Sequence, residues 1–277
     1  MTEIDQPLKE KETEELLDDS QQSWISHLIE LRNRILKSVL VLLAVFICFS
    51  FFANDIYTFF ADPLMRALPD GSTMISTDPH GPFFVPFKLA FFSAIIVTLP
   101  FLFYQIWGFI APGLYAREKK LVFPLVASST GLFYCGIVFA YYVVFPIIFS
   151  FFANSAPDGV SVMTDISSYM SFAMKLFFAF GVAFEVPIAT IIFARAGLVS
   201  TEKMAEKRPY IIVGAFIMGM LMTPPDIFSQ TLLAIPVWLL FELGLFFARR
   251  IEQRKEQDSD SSFYSDSSES DKEFTDS

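Results

Sequence analysis

The chain has 277 residues, of which 53% are hydrophobic and 17% aromatic, and its mean hydropathy is +0.49. This hydrophobic share exceeds the roughly 45–50% of a soluble domain and lies in long runs, which excludes an ordinary soluble protein. The formal net charge of -10 belongs to the ends: residues 1–23 and 252–277 hold 17 acidic and five basic residues, a sum of -12 that leaves +2 for the body. Hence the charge predicts neither a basic partner for the body nor a nucleic-acid partner.

Both ends are predicted to be disordered acidic tails, covering residues 1–23 and 251–277, because they lack the apolar surface that would offset the ordering of the chain. No cleavable signal peptide is visible, since the first 23 residues are acidic and polar. Residues 24–250 are predicted to form one all-α membrane domain of six transmembrane helices.

The body begins with an amphipathic segment at residues 24–37, where two side-chain stripes recur at helical spacing. One stripe is apolar and runs from Trp24 to Ile35, and the other consists of His27, Glu30 and Arg34. The pattern predicts a helix at the membrane interface that continues into the first span.

Six apolar runs follow, at about residues 38–53, 83–110, 121–152, 169–194, 210–222 and 228–248. Pro100, Pro187 and Pro236 lie inside runs, so kinked spans are expected. The fifth run would rise only about 20 Å as a helix, against a hydrocarbon core of roughly 30 Å. Either that helix extends into polar flanks or the bilayer thins beside it, and we favour thinning; the fifth and sixth helices are both expected to be short.

Two further elements are predicted on the outer side of the membrane. The stretch DIYTFFADPLMRAL, residues 55–68, is amphipathic and predicts an external helix lying along the surface. Asp165, before the fourth run, is suited to an N-cap.

Basic residues set the predicted orientation. With both termini in the cytoplasm, 17 of the 20 lysines and arginines lie on the cytoplasmic side, and the outer loops hold only Arg66. Lys88 and Lys175 lie within apolar runs, and snorkelling toward the interface accounts for Lys175.

Motifs of soluble enzymes are absent from the sequence. It contains no GxxxxGK[ST] loop, no HExxH and no GxSxG, so no catalytic residue, metal or cofactor is expected. Cys48 and Cys135 lie in apolar runs and are expected to be buried free thiols.

Longer strings carry a family resemblance. These are HLIELRNRI, STMISTDPHGPFFVPFKLAFF, YQIWGFIAPGLYAREKK, FAYYVVFPIIFSFF, FAFGVAFEVP and KRPYIIVGAFIMGMLMTPPDIFSQTLLAIPVWLLFELG. In order and spacing the chain resembles the TatC family, the receptor subunit of the twin-arginine protein translocase, over about residues 24–250. The resemblance implies a bacterial inner-membrane receptor and scaffold for precursors with a twin-arginine signal peptide. It also implies partners of the single-span TatA and TatB types, self-association in a larger complex, and export of folded proteins driven by the proton-motive force.

Two glutamates match the family's recognition positions. Glu30 and Glu118 are implied to bind the paired arginines, for which bidentate carboxylates are suited. From the residues alone, Glu30 could simply pair with Arg34 four residues later, and Glu118 could be one charge in a solvated loop.

Other polar residues have structural and functional interpretations of similar weight. Glu185, inside the fourth run, is expected to face the bundle interior or a polar concavity that receives a signal peptide or partner helix, or to make a structural hydrogen bond. Asp226 and Gln230 could cap the turn before the sixth span, or contact a partner's transmembrane helix. Met220 and Thr223 match nearby partner-contact positions.

Four more residues match family positions, namely Pro63, Phe83, Phe109 and Pro112. Here a helix break and aromatic anchoring at the interface are sufficient, so we expect structural roles. The alternative function is an ion-coupled secondary transporter of a small solute, which Glu185, Lys175 and broken helices would also fit, although no internal repeat is found.

Overall fold

The computed structural model describes residues 6–67, 75–114, 122–154, 165–222 and 227–273, and these are helical apart from short connections. The helices are α1 (Gln6–Ser50), α2 (Ala53–Ala67), α3 (Gly81–Leu114), α4 (Val122–Phe139), α5 (Phe145–Asn154), α6 (Ile166–Ala183), α7 (Val186–Arg195), α8 (Thr201–Glu206), α9 (Arg208–Met222) and α10 (Ile227–Glu273). A π-helical turn, Ala140–Val144, joins α4 to α5. The predicted all-α class is confirmed.

Within the described residues, five helical stretches are long and apolar enough to cross a membrane. They are Ser26–Ser50, Gly81–Ile110, Val122–Phe151, Ile166–Arg195 and Ile227–Gln253. The helix α9 is apolar but has only 15 residues, a rise of about 22 Å. The protein is therefore a multi-pass membrane protein, while the count of six spans stays a prediction.

The helices at the two chain ends run beyond the apolar segments, while the disorder of the acidic tails stays a prediction. Helix α1 begins at Gln6, within the first acidic tail, and α10 extends to Glu273, within the second. Glutamate, lysine and glutamine favour the helical backbone, so a helix that starts in the membrane continues past it. The sixth helix is consequently longer than expected, since the apolar part of α10 alone has 27 residues.

Prolines shape the spans in different ways. Pro187 lies in the first turn of α7, and the helix breaks just before it at Phe184 and Glu185. Pro146 has no N–H for the carbonyl of Tyr142, and the preceding turn widens so that the Phe145 N–H bonds to Ala140 O. Pro236 stays inside the continuous α10.

The predicted amphipathic helix is present as α2, and its place on the outer side of the membrane stays a prediction. The expected break at Pro63 is absent, since α2 continues to Ala67. The buried core centres on α6, where Leu176, Phe177 and Phe180 are almost fully inaccessible. By contrast, the apolar window of α1 has no fully buried residue, although α1 packs along α3. Cys48 and Cys135 are exposed rather than buried, because their helices present them on the membrane-facing side.

A clasp joins the segments that precede α3 and α6. Asp165 caps α6 as predicted, accepting from the Ser168 N–H at 2.9 Å. Its other oxygen accepts from the Thr77 N–H at 3.0 Å and from Thr77 Oγ1 at 2.9 Å, and the Ile166 N–H bonds to Ile75 O. These hydrogen bonds stabilise the charged carboxylate and so hold the pKa of Asp165 well below its usual range. The bond from the Thr77 N–H has the largest effect.

Candidate functional site

The first candidate site lies where α1 packs against the end of α3, at the opposite end of these helices from the clasp. Glu30 lies on α1 one turn before Arg34. Its Oε1 is 2.7 Å from Arg34 Nη2 and accepts from Arg34 Nε at 2.9 Å. The pairing expected from the spacing is therefore present.

Arg34 also bonds to α3. Its Nη1 donates to Gln105 Oε1 at 3.2 Å, and its Nη2 donates to the Gly108 carbonyl at 3.0 Å. Gly108 permits this approach, since a Cβ there would lie 2.7 Å from Nη1. The guanidinium is thus fixed on α3, and it fixes Glu30 in turn.

The carboxylate of Glu30 remains accessible. Its side chain is 42% exposed, and both contacts with Arg34 use Oε1. Among the described residues Oε2 accepts no hydrogen bond, so it is available to a donor from outside. Phe109 packs edge-on against His27, with ring centroids 6.3 Å apart, which places it one turn along α1 from Glu30.

Two other residues predicted for this region, Glu118 and Pro112, lie wholly or partly outside what the structure describes. Glu118 lies outside the described residues, so its position relative to Glu30 is not tested. Helix α3 continues through Pro112 to Leu114, and the side chain of Pro112 is not described.

The second candidate site is the break between α6 and α7. Glu185 is the N-cap residue of α7, and its Oε1 is buried without a hydrogen-bond partner in the described part of the chain. Ser129 of α4 is within hydrogen-bonding reach of this carboxyl group, and Ser129 Oγ accepts from Trp107 Nε1 at 3.0 Å. The expectation that Glu185 faces the bundle agrees with this geometry.

The interface of α9 and α10 carries the remaining predicted contacts. A Cβ on Gly219 would lie 3.5 Å from Gln230 Cα, so the two helices pack closely there. Gln230 is half-buried, and Met220 is 55% exposed on the outer surface of α9. Thr223 and Asp226 lie outside the described residues.

Two predicted surface positions behave as membrane-facing groups. Phe83 is 63% exposed and clusters with Phe84 and Phe87 at the start of α3, which fits aromatic anchoring. Lys175 is exposed on α6.

Sequence reasoning missed several partners of these residues. Gln105, Trp107 and Ser129 are polar groups inside apolar runs, and that polarity was the available signal. Arg208 and Glu242 form a further pair, with Nε 2.6 Å from Oε1 and Nη2 2.9 Å from Oε2, which ties the start of α9 to α10.

Comparison with known proteins agrees with this architecture. The family model described as Sec-independent protein translocase protein (TatC) matches residues 26–236. TatC of Haemophilus influenzae is 56% identical over 239 residues, covering 86% of this chain and 93% of the relative. TatC of Escherichia coli K12 is 56% identical over 228 residues, covering 82% and 88%.

A solved structure is similar throughout its length. The crystal structure of the twin-arginine translocase receptor TatC superposes with a TM-score of 0.74 at 34% identity, covering 80% of this chain and 98% of that one. These comparisons give no support to a small-solute transporter. The matched segment contains both candidate sites, and the chain belongs to the TatC family of Sec-independent protein translocase proteins.

Proposed function

We propose that this chain is the signal-peptide receptor and scaffold of a twin-arginine translocase, which exports folded proteins across the bacterial inner membrane by use of the proton-motive force. The proposal depends on the fixed orientation and the exposure of the Glu30 carboxylate. Its carboxylate is held on α3 through Arg34, it is 42% exposed, and its Oε2 is free of hydrogen bonds from the described residues. A fixed carboxylate with one open oxygen suits an arginine guanidinium, which donates in a planar fork.

Arg34 fixes the orientation of the Glu30 carboxylate and uses only one of its two oxygens. A freely rotating glutamate would lose side-chain entropy on binding, whereas Glu30 has already been oriented by the Arg34 contact. An incoming arginine then meets a carboxylate whose direction is set by Gln105 and Gly108 of α3.

Glu118 is proposed as the second acceptor. It follows Leu114 by four residues, a distance of at most about 14 Å along an extended chain. The end of α3 already lies against α1 through Gly108 and Phe109. Chain connectivity therefore allows Glu118 to reach the surroundings of Glu30, and two carboxylates could each receive one arginine.

The proposal fixes an orientation and a set of partners. The Glu30 end of the bundle faces the cytoplasm with both chain termini, in agreement with the distribution of basic residues. Partners are single-span proteins of the TatA and TatB types, together with further copies of this chain in a larger complex. A folded cargo requires such partners, since one chain of six spans is too small to enclose it.

Partner helices are proposed to contact the α9 side of the bundle. Met220 is exposed there, and Gln230 at the start of α10 packs against Gly219, the residue before Met220. Asp226 and Thr223 belong to the connection between the two helices. Glu185 is proposed as the polar group that an inserted helix or signal peptide meets inside the bundle. Because α9 rises only about 22 Å, the bilayer is proposed to thin beside it.

The receptor assignment is tested by crosslinking. Membranes containing wild type, Glu30→Gln or Glu118→Gln are labelled with a photoreactive signal peptide carrying paired arginines, and with the same peptide carrying paired lysines. Loss of one charge-assisted pair is about 1.5–3 kcal/mol, so we expect roughly ten-fold or greater loss of labelling by the arginine peptide in each variant. Wild-type labelling by the lysine peptide should be weak.

Glu206→Gln is the matched control, because Glu206 is an exposed glutamate at the same end of the bundle as Glu30. It should leave labelling unchanged. Equal labelling by both peptides in all variants, with the protein present at normal levels, would reject the receptor assignment.

A further inference from the structure

An apolar groove lies at the end of the bundle opposite Glu30, beneath the external helix α2. Its cavity volume is about 490 Å³. The walls come from α1, α2, α3 and α4, and the apolar groups are Phe49, Ile56, Phe59, Phe60, Ile96 and Val97. Such a volume lies within the range of small-molecule sites, about 300–1,000 Å³.

The groove is open on the membrane side. Phe59 is 62% exposed and Val97 is 52% exposed, although both line the groove. Its inner wall contains Ile96 and Phe60, which pack against the buried core, and Ser93. A hydrocarbon chain could therefore enter sideways from the bilayer and exchange lipid contact for protein contact along its length.

One charged group lies among the lining residues. Asp55 is exposed in the first turn of α2, where the chain has just left the membrane after α1. In the part of the chain that the structure describes, its carboxylate makes no ion pair and no side-chain hydrogen bond. An apolar groove beside an unpaired carboxylate is complementary to a lipid whose headgroup carries a cationic group and whose acyl chain can fill the groove.

We propose that this groove binds a phospholipid of the phosphatidylethanolamine class, with an acyl chain between α2 and α3 and its ammonium group at Asp55. The charge selects among lipids. An ammonium is attracted to the carboxylate, whereas phosphatidylglycerol brings only negative charge to the same place. The site is independent of signal-peptide recognition, since it lies at the other end of α1 from Glu30.

Native mass spectrometry of the delipidated full-length protein tests the selectivity. The protein is given an equimolar mixture of phosphatidylethanolamine and phosphatidylglycerol with identical acyl chains, and the retained lipids are counted. We expect wild type to retain phosphatidylethanolamine at least three-fold over phosphatidylglycerol by attraction to the carboxylate. Asp55→Asn, which keeps the shape and removes the charge, should reduce this preference to near equality.

Asp78→Asn is the matched control, because Asp78 is an exposed aspartate at the same end of the bundle that does not line the groove. It should keep the wild-type preference. A wild type without preference, an Asp55→Asn that keeps it, or an equal loss in Asp78→Asn would each overturn the proposal.

A photocrosslinking residue in place of Phe59 identifies the occupant in native membranes. The expected adduct is a lipid with an ethanolamine headgroup. An adduct with a polypeptide instead would show that a partner helix occupies the groove, and would overturn the lipid assignment. Ser93→Phe, which fills the groove, should reduce retention of both lipids, and Asp55→Asn keeps the test decisive if that variant does not fold.

Discussion

Gly244 of α10 controls how closely this helix approaches the break in the fourth span. A Cβ at position 244 would lie 2.7 Å from Pro187 Cα and 3.1 Å from both Pro187 O and Thr190 Cβ. Ordinary contacts between carbon atoms are about 3.5–4.0 Å, so Gly244→Ala must displace α10 from α7 by roughly 1 Å. The nearest atoms belong to backbone and cannot rotate away.

The expected magnitude combines two opposed effects. Overpacking of this kind costs about 1–3 kcal/mol, while alanine in a helix interior gains about 1 kcal/mol over glycine. Because the closest contacts are with backbone, we expect the upper part of the range, a net destabilisation of about 1–2 kcal/mol. For a domain of this size each 1 kcal/mol shifts the melting temperature by roughly 2–4 °C, so Gly244→Ala should melt several degrees below wild type.

Thermal unfolding of the purified protein in one detergent measures the shift. Gly214→Ala in α9 is the control, because a Cβ there meets no atom within 4 Å. This variant should gain helix propensity alone and melt at or slightly above wild type. If Gly244→Ala also melts at or above wild type, α10 does not approach Pro187 as described and the reasoning is refuted.

Three further predictions concern the other contacts. Gly108→Ala should push Arg34 from α3 and lower twin-arginine peptide crosslinking several-fold, with little change in melting temperature, since the Arg34 side chain can move. The pKa of Asp165 is lower in the folded than in the unfolded protein. Its contribution to stability is therefore complete above the unfolded pKa of about 4 and is lost as the pH falls through the lower folded-state pKa. Asp165→Asn should accordingly weaken the fall in melting temperature on acidification. Trp107→Phe removes the donor to Ser129 and should destabilise by about 0.5–1.5 kcal/mol, measured by denaturant unfolding.

Each of these three predictions has a control variant or a double-variant test. Gly131→Ala has open space around its Cβ and should leave crosslinking unchanged. Asp78→Asn should keep the wild-type response to acid; an identical loss of response there would remove the special role of Asp165. For Trp107, the double variant with Ser129→Ala should cost less than the sum of the single variants, and additive costs would contradict the hydrogen bond.

Local spacing predicted those parts of the fold that depend on neighbours in sequence. The Glu30–Arg34 pair, the Asp165 cap and helix α2 all follow from side chains within one or two turns of each other. Long apolar runs gave the spans for the same reason, because crossing a bilayer requires a continuous stretch of apolar helix.

Contacts between distant segments were not predictable in this way. Arg34 bonds to Gln105 and Gly108, and Asp165 bonds to Thr77, but helical periodicity carries no information about which helices become neighbours. Glu185 was expected to face the bundle because of its polarity, whereas Ser129 beside it required the packing of α4 on α6. The extent of α1 and α10 was likewise not predictable, because composition does not show where a helix stops once it has started.

The clasp between Thr77 and Asp165 limits the motion of two spans. Several hydrogen bonds near 3 Å, all at one end of α3 and α6, would be broken if either helix slid along the membrane normal by much more than 1 Å. The clasp thus opposes axial sliding of the second and fourth spans at that end, and it favours their separation by pivoting about that end. A gap that opens between these two spans is then expected to be narrowest at the clasp and widest at the Glu30 end of the bundle.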